Sequence, residues 1–269
     1  MLRKLLKYDM QAIWKIFALL AASVLGLSLL GGLAVRFMVQ NENDALFLMS
    51  LFAGFFLFLN FMAIIAFATI IQIMVYYRFY KNLFTDEGYL TFTLPVSRAK
   101  LLASKTLNAL IWLFGSGAVV SVCILEFVLI AAPQELRELL STIPISGWWL
   151  PYIPLVIFAA LMLSWCTISL VQFCITTGAV IAKKHKVLAA FGIYYLISMI
   201  SSFCWQIFAI MGSIALAGIL DTAISELSAV EGRMLAAALI LAVGSIAGCI
   251  AGTLHFLTLG HLERRLNLA

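Results

Sequence analysis

Long apolar runs separated by short polar stretches set the pattern of this chain. A helix needs about 20 apolar residues to cross a bilayer's hydrocarbon, and in lipid it must satisfy its backbone hydrogen bonds internally. On that basis the pattern predicts six spans near 16–35, 45–75, 107–132, 152–182, 188–211 and 234–259. The fold class is therefore an all-α polytopic membrane protein in which residues 1–269 form one transmembrane domain. The second and fourth spans exceed the bilayer's requirement, so they tilt or project beyond it as helix. Trp148, Trp149 and Tyr152 read as an interfacial aromatic anchor, and Pro151 or Pro154 suits a helix start.

The segments between spans carry their own patterns. Over residues 1–15, Leu2, Leu5, Leu6, Met10 and Ile13 recur at helical spacing, with Arg3, Lys4, Lys7, Gln11 and Lys15 on the other side. This predicts an amphipathic elbow helix in the membrane interface, its cations near anionic headgroups. It either anchors the first span or also touches a partner. Residues 76–106 (YYRFYKNLFTDEGYLTFTLPVSRAKLLASKT) are too long for a tight turn and too short for a domain. Gly88 permits a bend, Leu94-Pro95 interrupts a helix, and Ser97 can cap the helix leading into the third span. Phe84, Tyr89, Leu90, Phe92 and Leu94 are many apolar groups for a solvated loop, so the segment is expected to bury them against the bundle or another protein. Residues 212–233 are too polar to span and too apolar for an open loop, which predicts a short outer-surface helix before span six. Residues 134–142 offer a second such helix.

Composition agrees with a lipid-facing surface. Of 269 residues, 64% are hydrophobic and 11% charged, against roughly 25% charged in an ordinary soluble domain. The first apolar run is about 20 residues long and lacks a small-residue cleavage site, so it is expected to stay as a span and not leave as a signal peptide. Cys123, Cys166, Cys174, Cys204 and Cys249 all fall in apolar runs without metal-ligand spacing. Arg36, Arg137 and Arg233 are the only cations on one side of the predicted topology, where Glu42, Asp44, Glu135, Glu138, Asp221, Glu226 and Glu231 also lie. Every other Lys and Arg falls on the opposite side, which the positive-inside rule assigns to the cytoplasm. Both termini then lie there. The net charge of +5 is thus topological, and nucleic-acid binding is a poor explanation for it.

Few polar groups lie within the spans. Glu126 is the one acid well inside, and an intramembrane carboxylate costs roughly 3 kcal/mol on insertion scales, which marks it as a functional candidate. Asn60, Gln72, Gln172 and Gln206 are span amides that either bond between helices or line a polar path. Gly244, Gly248 and Gly252 repeat at four-residue spacing and leave a groove for close helix approach, within the chain or between copies. His185 and His255 have no ligand set nearby, so no metal site is expected. Glu126 and His255 lie near opposite ends of their spans, a poor geometry for an intramembrane hydrolase.

The stretch FYKNLFTDEGYLTFTLPVSRAKLLASK, placed between spans two and three of six, resembles the permease subunits of bacterial type-2 ATP-binding-cassette exporters, especially the Gram-positive ones. The topology is similar over nearly the whole chain; the sequence likeness is confined to residues 79–105. The resemblance implies a coupling helix at about Thr85–Leu94, comprising Thr85, Asp86, Glu87, Gly88, Tyr89, Leu90, Phe92 and Leu94, that docks on a separate cytoplasmic ATPase. It further implies a pair of permease subunits, identical or homologous, in the bacterial cell membrane, with spans two and five lining their interface. Asn60, Gln206 and Glu126 then become candidates for the translocation path. The chain has no G-x-x-x-x-G-K-[ST] loop, so it is expected to hold no cofactor and to be no enzyme itself. ATP and Mg would be held by the partner. Greasy spans with few charges favour an amphipathic peptide, drug or lipid-like cargo. The alternative is an ion-gradient-driven secondary transporter or channel using Glu126, which would ordinarily bring more intramembrane charge and internal repeats.

Overall fold

The computed structural model describes residues 2–40, 46–93, 95–131, 150–182, 184–223 and 229–264, together with Gln134 and Gly147. Seven helices account for nearly all of them: α1 Leu2–Gln40, α2 Leu46–Phe84, α3 Asp86–Phe92, α4 Arg98–Ala131, α5 Tyr152–Ile181, α6 Lys186–Ala223 and α7 Ala229–Arg264. All but α3 are long and apolar enough to cross a membrane. They carry large exposed apolar side chains such as Leu19, Phe191 and Phe256. In water that surface would be untenable; against acyl chains it is the expected lining. The chain is a multi-pass membrane protein.

Several helices run further than hydropathy predicts. Helix α1 is continuous over 39 residues, about 58 Å at 1.5 Å per residue, so residues 2–15 are its opening turns and not a separate elbow. No proline or glycine falls between Leu2 and Leu25 to break it. Likewise, residues 212–223 continue α6 and residues 229–233 begin α7, so the described parts of the outer-surface helix expected at 212–233 belong to these two helices, and residues 224–228 lie outside the described residues. Nothing in GSIALAGILDTA stops a helix already propagating. Helix α2 reaches Phe84 and α4 begins at Arg98, because the cations beyond the apolar core are sound helix formers and no Pro or Gly interrupts Tyr76–Phe84 or Arg98–Asn108. The helix expected at 134–142, apart from Gln134, lies outside the described residues, as do Trp148, Trp149 and Leu94.

The chain packs as two units. The first comprises Met1–Phe79 and Ala103–Gly147, the second Tyr80–Leu102 and Trp148–Ala269. Apolar burial gives membrane helices little reason to associate, so packing shape and interhelical hydrogen bonds hold them. In the first unit, Phe17 of α1 meets Trp112 of α4 at 4.8 Å and Phe67 of α2 at 5.7 Å between ring centroids, both tilted. Ser28 Oγ donates to the Cys123 carbonyl at 2.7 Å. Gly32 lets α1 approach Ile130 of α4 closely.

In the second unit, α5 and α7 run in the same direction. Gly244 lies against Phe158 and Ala159, Gly248 against the Met162 sulfur, and His261 against Phe173 and Thr177. Gly244 and Gly248 therefore serve packing within the chain, whereas Gly252 faces open space. Tyr152 donates its hydroxyl proton to the Arg233 carbonyl at 2.8 Å and joins the starts of these two helices. The buried hydroxyls of Thr176 and Thr258 bond back to the carbonyls of Gln172 and Leu254, so their polarity costs the interior little. Helices α5 and α6 cross where Gly178 meets Ala190.

Candidate functional site

The segment between the second and third spanning helices is built in three steps. First, α2 stops at Phe84. Thr85 adopts extended backbone and turns its hydroxyl back to the Lys81 carbonyl at 2.6 Å, so it closes α2 without capping α3. Second, the Gly88 amide donates to the Thr85 carbonyl at 2.7 Å, and the new helix folds back over the last turn of α2. Gly88 is buried there, with the Leu83 carbonyl oxygen only 2.6 Å from where a Cβ would sit. Third, the Thr93 hydroxyl bonds to the Leu90 carbonyl at 2.8 Å and α3 ends. Pro95 follows, and α4 begins at Arg98, with the Ser97 carbonyl accepting from the Leu101 amide at 3.1 Å.

The result is a seven-residue helix with two distinct sides. Tyr89 and Leu90 are 69% and 71% exposed. Asp86 and Glu87 are exposed in the first turn, where carboxylates complement the helix dipole. Glu87 also pairs with Lys81 at 2.8 Å, a half-exposed contact worth about 0–1 kcal/mol. Beneath, Leu83 and Phe84 are buried, and Phe92 is half-buried under the Arg98 guanidinium, 5.5 Å from its ring centroid. Two cations tie this base to other helices of the same unit. Lys186, opening α6, reaches the Phe84 carbonyl at 3.5 Å, and Arg98 donates to the Leu262 carbonyl near the end of α7. Residue type alone gave no sign of the roles of Arg98 and Lys186. Seated this way, α3 can present a small apolar tip, with two acids in the turn before it, to a partner.

The polar span residues divide between the two units. Asn60 is 5% exposed on α2, and its Nδ2 lacks a hydrogen-bond partner. That nitrogen lies 3.3 Å from where a Cβ on Gly31 of α1 would be, and Phe127 of α4 borders the same point. Glu126 is half-buried on α4, and its Oε2 is buried without a partner. Asn60 and Glu126 thus belong to the same unit, together with Ser28 and Cys123. Gln206 is exposed on α6 in the other unit. Replacing Glu126 with leucine should raise the melting temperature of the detergent-solubilised protein, since it removes an intramembrane carboxylate costing roughly 3 kcal/mol. A lower melting temperature would mean that the carboxylate is satisfied in the membrane.

One charged group escaped the sequence reading. Asp9 of α1 receives two hydrogen bonds from the Lys105 ammonium of α4, at 2.6 and 2.8 Å, and both side chains are buried. Arg78 of α2 lies 3.9 Å away. The signal was available: Asp9 continues the stripe of Leu2, Leu5, Leu6 and Ile13 at helical spacing, so it stands on the face that packs. Among the described residues, no three His, Cys, Asp or Glu side chains gather closely enough to hold an ion. Comparison with protein-family models, curated proteins and solved structures finds no match for this chain.

Proposed function

We propose that this chain is the transmembrane subunit of an ATP-driven exporter in the bacterial cell membrane, with both termini in the cytoplasm. Two such subunits, identical or homologous, form the path, and separate ATP-binding-cassette ATPases dock on α3. The observation that carries this reading is the form of α3: a discrete helix between the second and third spans, anchored beneath and exposing Tyr89 and Leu90. Two large apolar groups beside two acids, outside the lipid-crossing helices, fit a partner's cleft with an apolar floor and a basic edge. ATPase closure would then tilt the flanking helices as rigid levers. The spans are apolar and lightly charged, which favours an amphipathic peptide, drug or lipid-like cargo. Glu126, with its unpartnered oxygen, favours the second reading, an ion-gradient-driven transporter.

The test is co-purification with the neighbouring genes' products in detergent, followed by mass spectrometry and an ATPase assay. A Walker-motif protein should be recovered with the wild-type chain. The double variant Tyr89→Ala/Leu90→Ala should bind it at least about 30-fold more weakly, because two interfacial anchors at about 1 kcal/mol or more each multiply. Undiminished capture by the double variant would remove α3 as the docking element. Transport by the chain alone in response to an ion gradient would replace the whole reading.

A further inference from the structure

We infer that Asp9 is a tether that makes α1 move with the two legs of the α3 loop, and so a positioning residue in transmission from that loop to the membrane interior. The transmission rests on the function proposed above; the contact itself does not. Asp9 and Lys105 side chains are each 9% exposed, and the ammonium reaches both carboxylate oxygens. Arg78 presents Nη2 at 3.9 Å from the same carboxylate, and its Nε is buried without a partner. One acid on α1 therefore faces a cation on α2 and a cation on α4.

A buried ion pair is a poor source of stability, because apolar residues of the same volume often hold as well or better. What it does supply is register, since either partner is strongly disfavoured without the other. Here the register is that of the loop legs. Arg78 precedes the end of α2 by six residues, and Lys105 follows the start of α4 by seven. The segment Tyr80–Leu102, which contains α3, packs with the second unit. Along the chain, Arg78 lies just before that segment leaves the first unit, and Lys105 lies just after it returns. A helix is stiff over so short a length, so displacement of α3 is delivered to both cations. Asp9 then draws α1 with them.

Helix α1 carries that movement to the polar groups of the membrane interior. About two and four turns beyond Asp9 lie Phe17 and Val24, buried in the first unit's core. Further along, Ser28 bonds the Cys123 carbonyl, and Gly31 abuts Asn60 and Phe127. With Asp9 released, α2 and α4 could respond to α3 while α1 stayed behind. Arg78 gives the device a second property: if Lys105 shifts away during movement, the guanidinium is near enough to keep the carboxylate compensated.

The experiment uses the full chain in complex with its ATPase, in a variant whose five cysteines are replaced. Nitroxides are attached at Leu33→Cys on α1 and, separately, at Leu129→Cys on α4, both half-exposed positions. Spectra are compared without nucleotide and with a non-hydrolysable ATP analogue. In the wild-type background both labels should respond. In Asp9→Asn/Lys105→Gln, which removes both buried charges together and leaves only the part-exposed Arg78 beside them, the α1 response should fall at least about fivefold while the α4 response persists. Asp9→Glu should retain both. An unchanged α1 response in the double variant overturns the tether, and loss of both responses makes the pair a mere pin of the fold. Failure of the wild-type chain to capture an ATPase overturns the function proposed above, and the transmission role with it. Capture without any spectral response overturns the transmission role alone.

Discussion

Gly178→Val should lower the melting temperature in detergent by about 10 °C, the largest stability loss of any single change considered. Gly178 lies in the last turn of α5, and a Cβ there would sit 2.5 Å from the Ala190 nitrogen and 2.6 Å from its Cα. Those are backbone atoms of α6, so no rotamer change relieves the contact. Overpacking a core costs typically 1–3 kcal/mol when side chains can shift; here the two helices must separate, which places the cost at about 3 kcal/mol or more. For a chain of this size each kcal/mol moves the midpoint by about 2–4 °C. The reporter is built in. Cys174, one turn earlier on α5, is 1% exposed, so a thiol-reactive dye reads the opening of this crossing directly. Gly192→Val is the control, because nothing lies within 4 Å of that position on the same helix α6. Equal melting of Gly178→Val and Gly192→Val would show that the crossing is looser than these distances.

How far such contacts can be read from sequence depends on the range of the interaction. Hydropathy locates six spans because lipid exposure acts on each residue through its own side chain, without reference to a partner. Their ends are less legible. Hydropathy reports where a helix stops being greasy, whereas α2 continues as helix through Tyr76–Phe84 and α4 starts nine residues before its apolar core. Of the breaks around α3, that at Pro95 is legible because proline acts on the backbone where it stands, whereas the break before α3 falls at the extended Thr85 and Gly88, expected to bend the chain, lies inside α3. The elbow and the described parts of the outer-surface helix were misdrawn as separate elements, since a change in polarity is not a break in hydrogen bonding. Pairings across the chain were not legible. Asp9 and Lys105 are 96 positions apart, and in sequence each looks like a solvated interfacial charge. Gly244, Gly248 and Gly252 are alike in spacing, yet two meet α5 and the third meets nothing. Asn60 and Glu126 could be marked as costly residues, but only the fold shows that they fall in the same unit.

The two close glycines separate the demands of the fold from those of the proposed function. Gly88→Ala should leave the melting temperature within about 2 °C of the wild type, yet weaken ATPase capture at least about tenfold. The added methyl group would sit 2.6 Å from the Leu83 carbonyl oxygen and 2.8 Å from its carbon. Leu83 is fully buried and cannot retreat, so α3 must lift from the end of α2 or unwind. Either movement breaks the 2.7 Å bond from the Gly88 amide to the Thr85 carbonyl and redirects Tyr89 and Leu90. The spans lose little, because the displaced segment is seven residues long and two of its three large apolar side chains, Tyr89 and Leu90, already face outward. A stable protein that no longer holds its ATPase is therefore the expected signature, the reverse of Gly178→Val. Thr91→Ala serves as the control for simple loss of helix quality, since that hydroxyl only bonds the Glu87 carbonyl within α3. Wild-type capture by Gly88→Ala would mean that the ATPase does not read the seating of α3. A melting loss as deep as that of Gly178→Val would make α3 a structural part of the bundle, and the docking reading would then have to rest on Tyr89 and Leu90 alone.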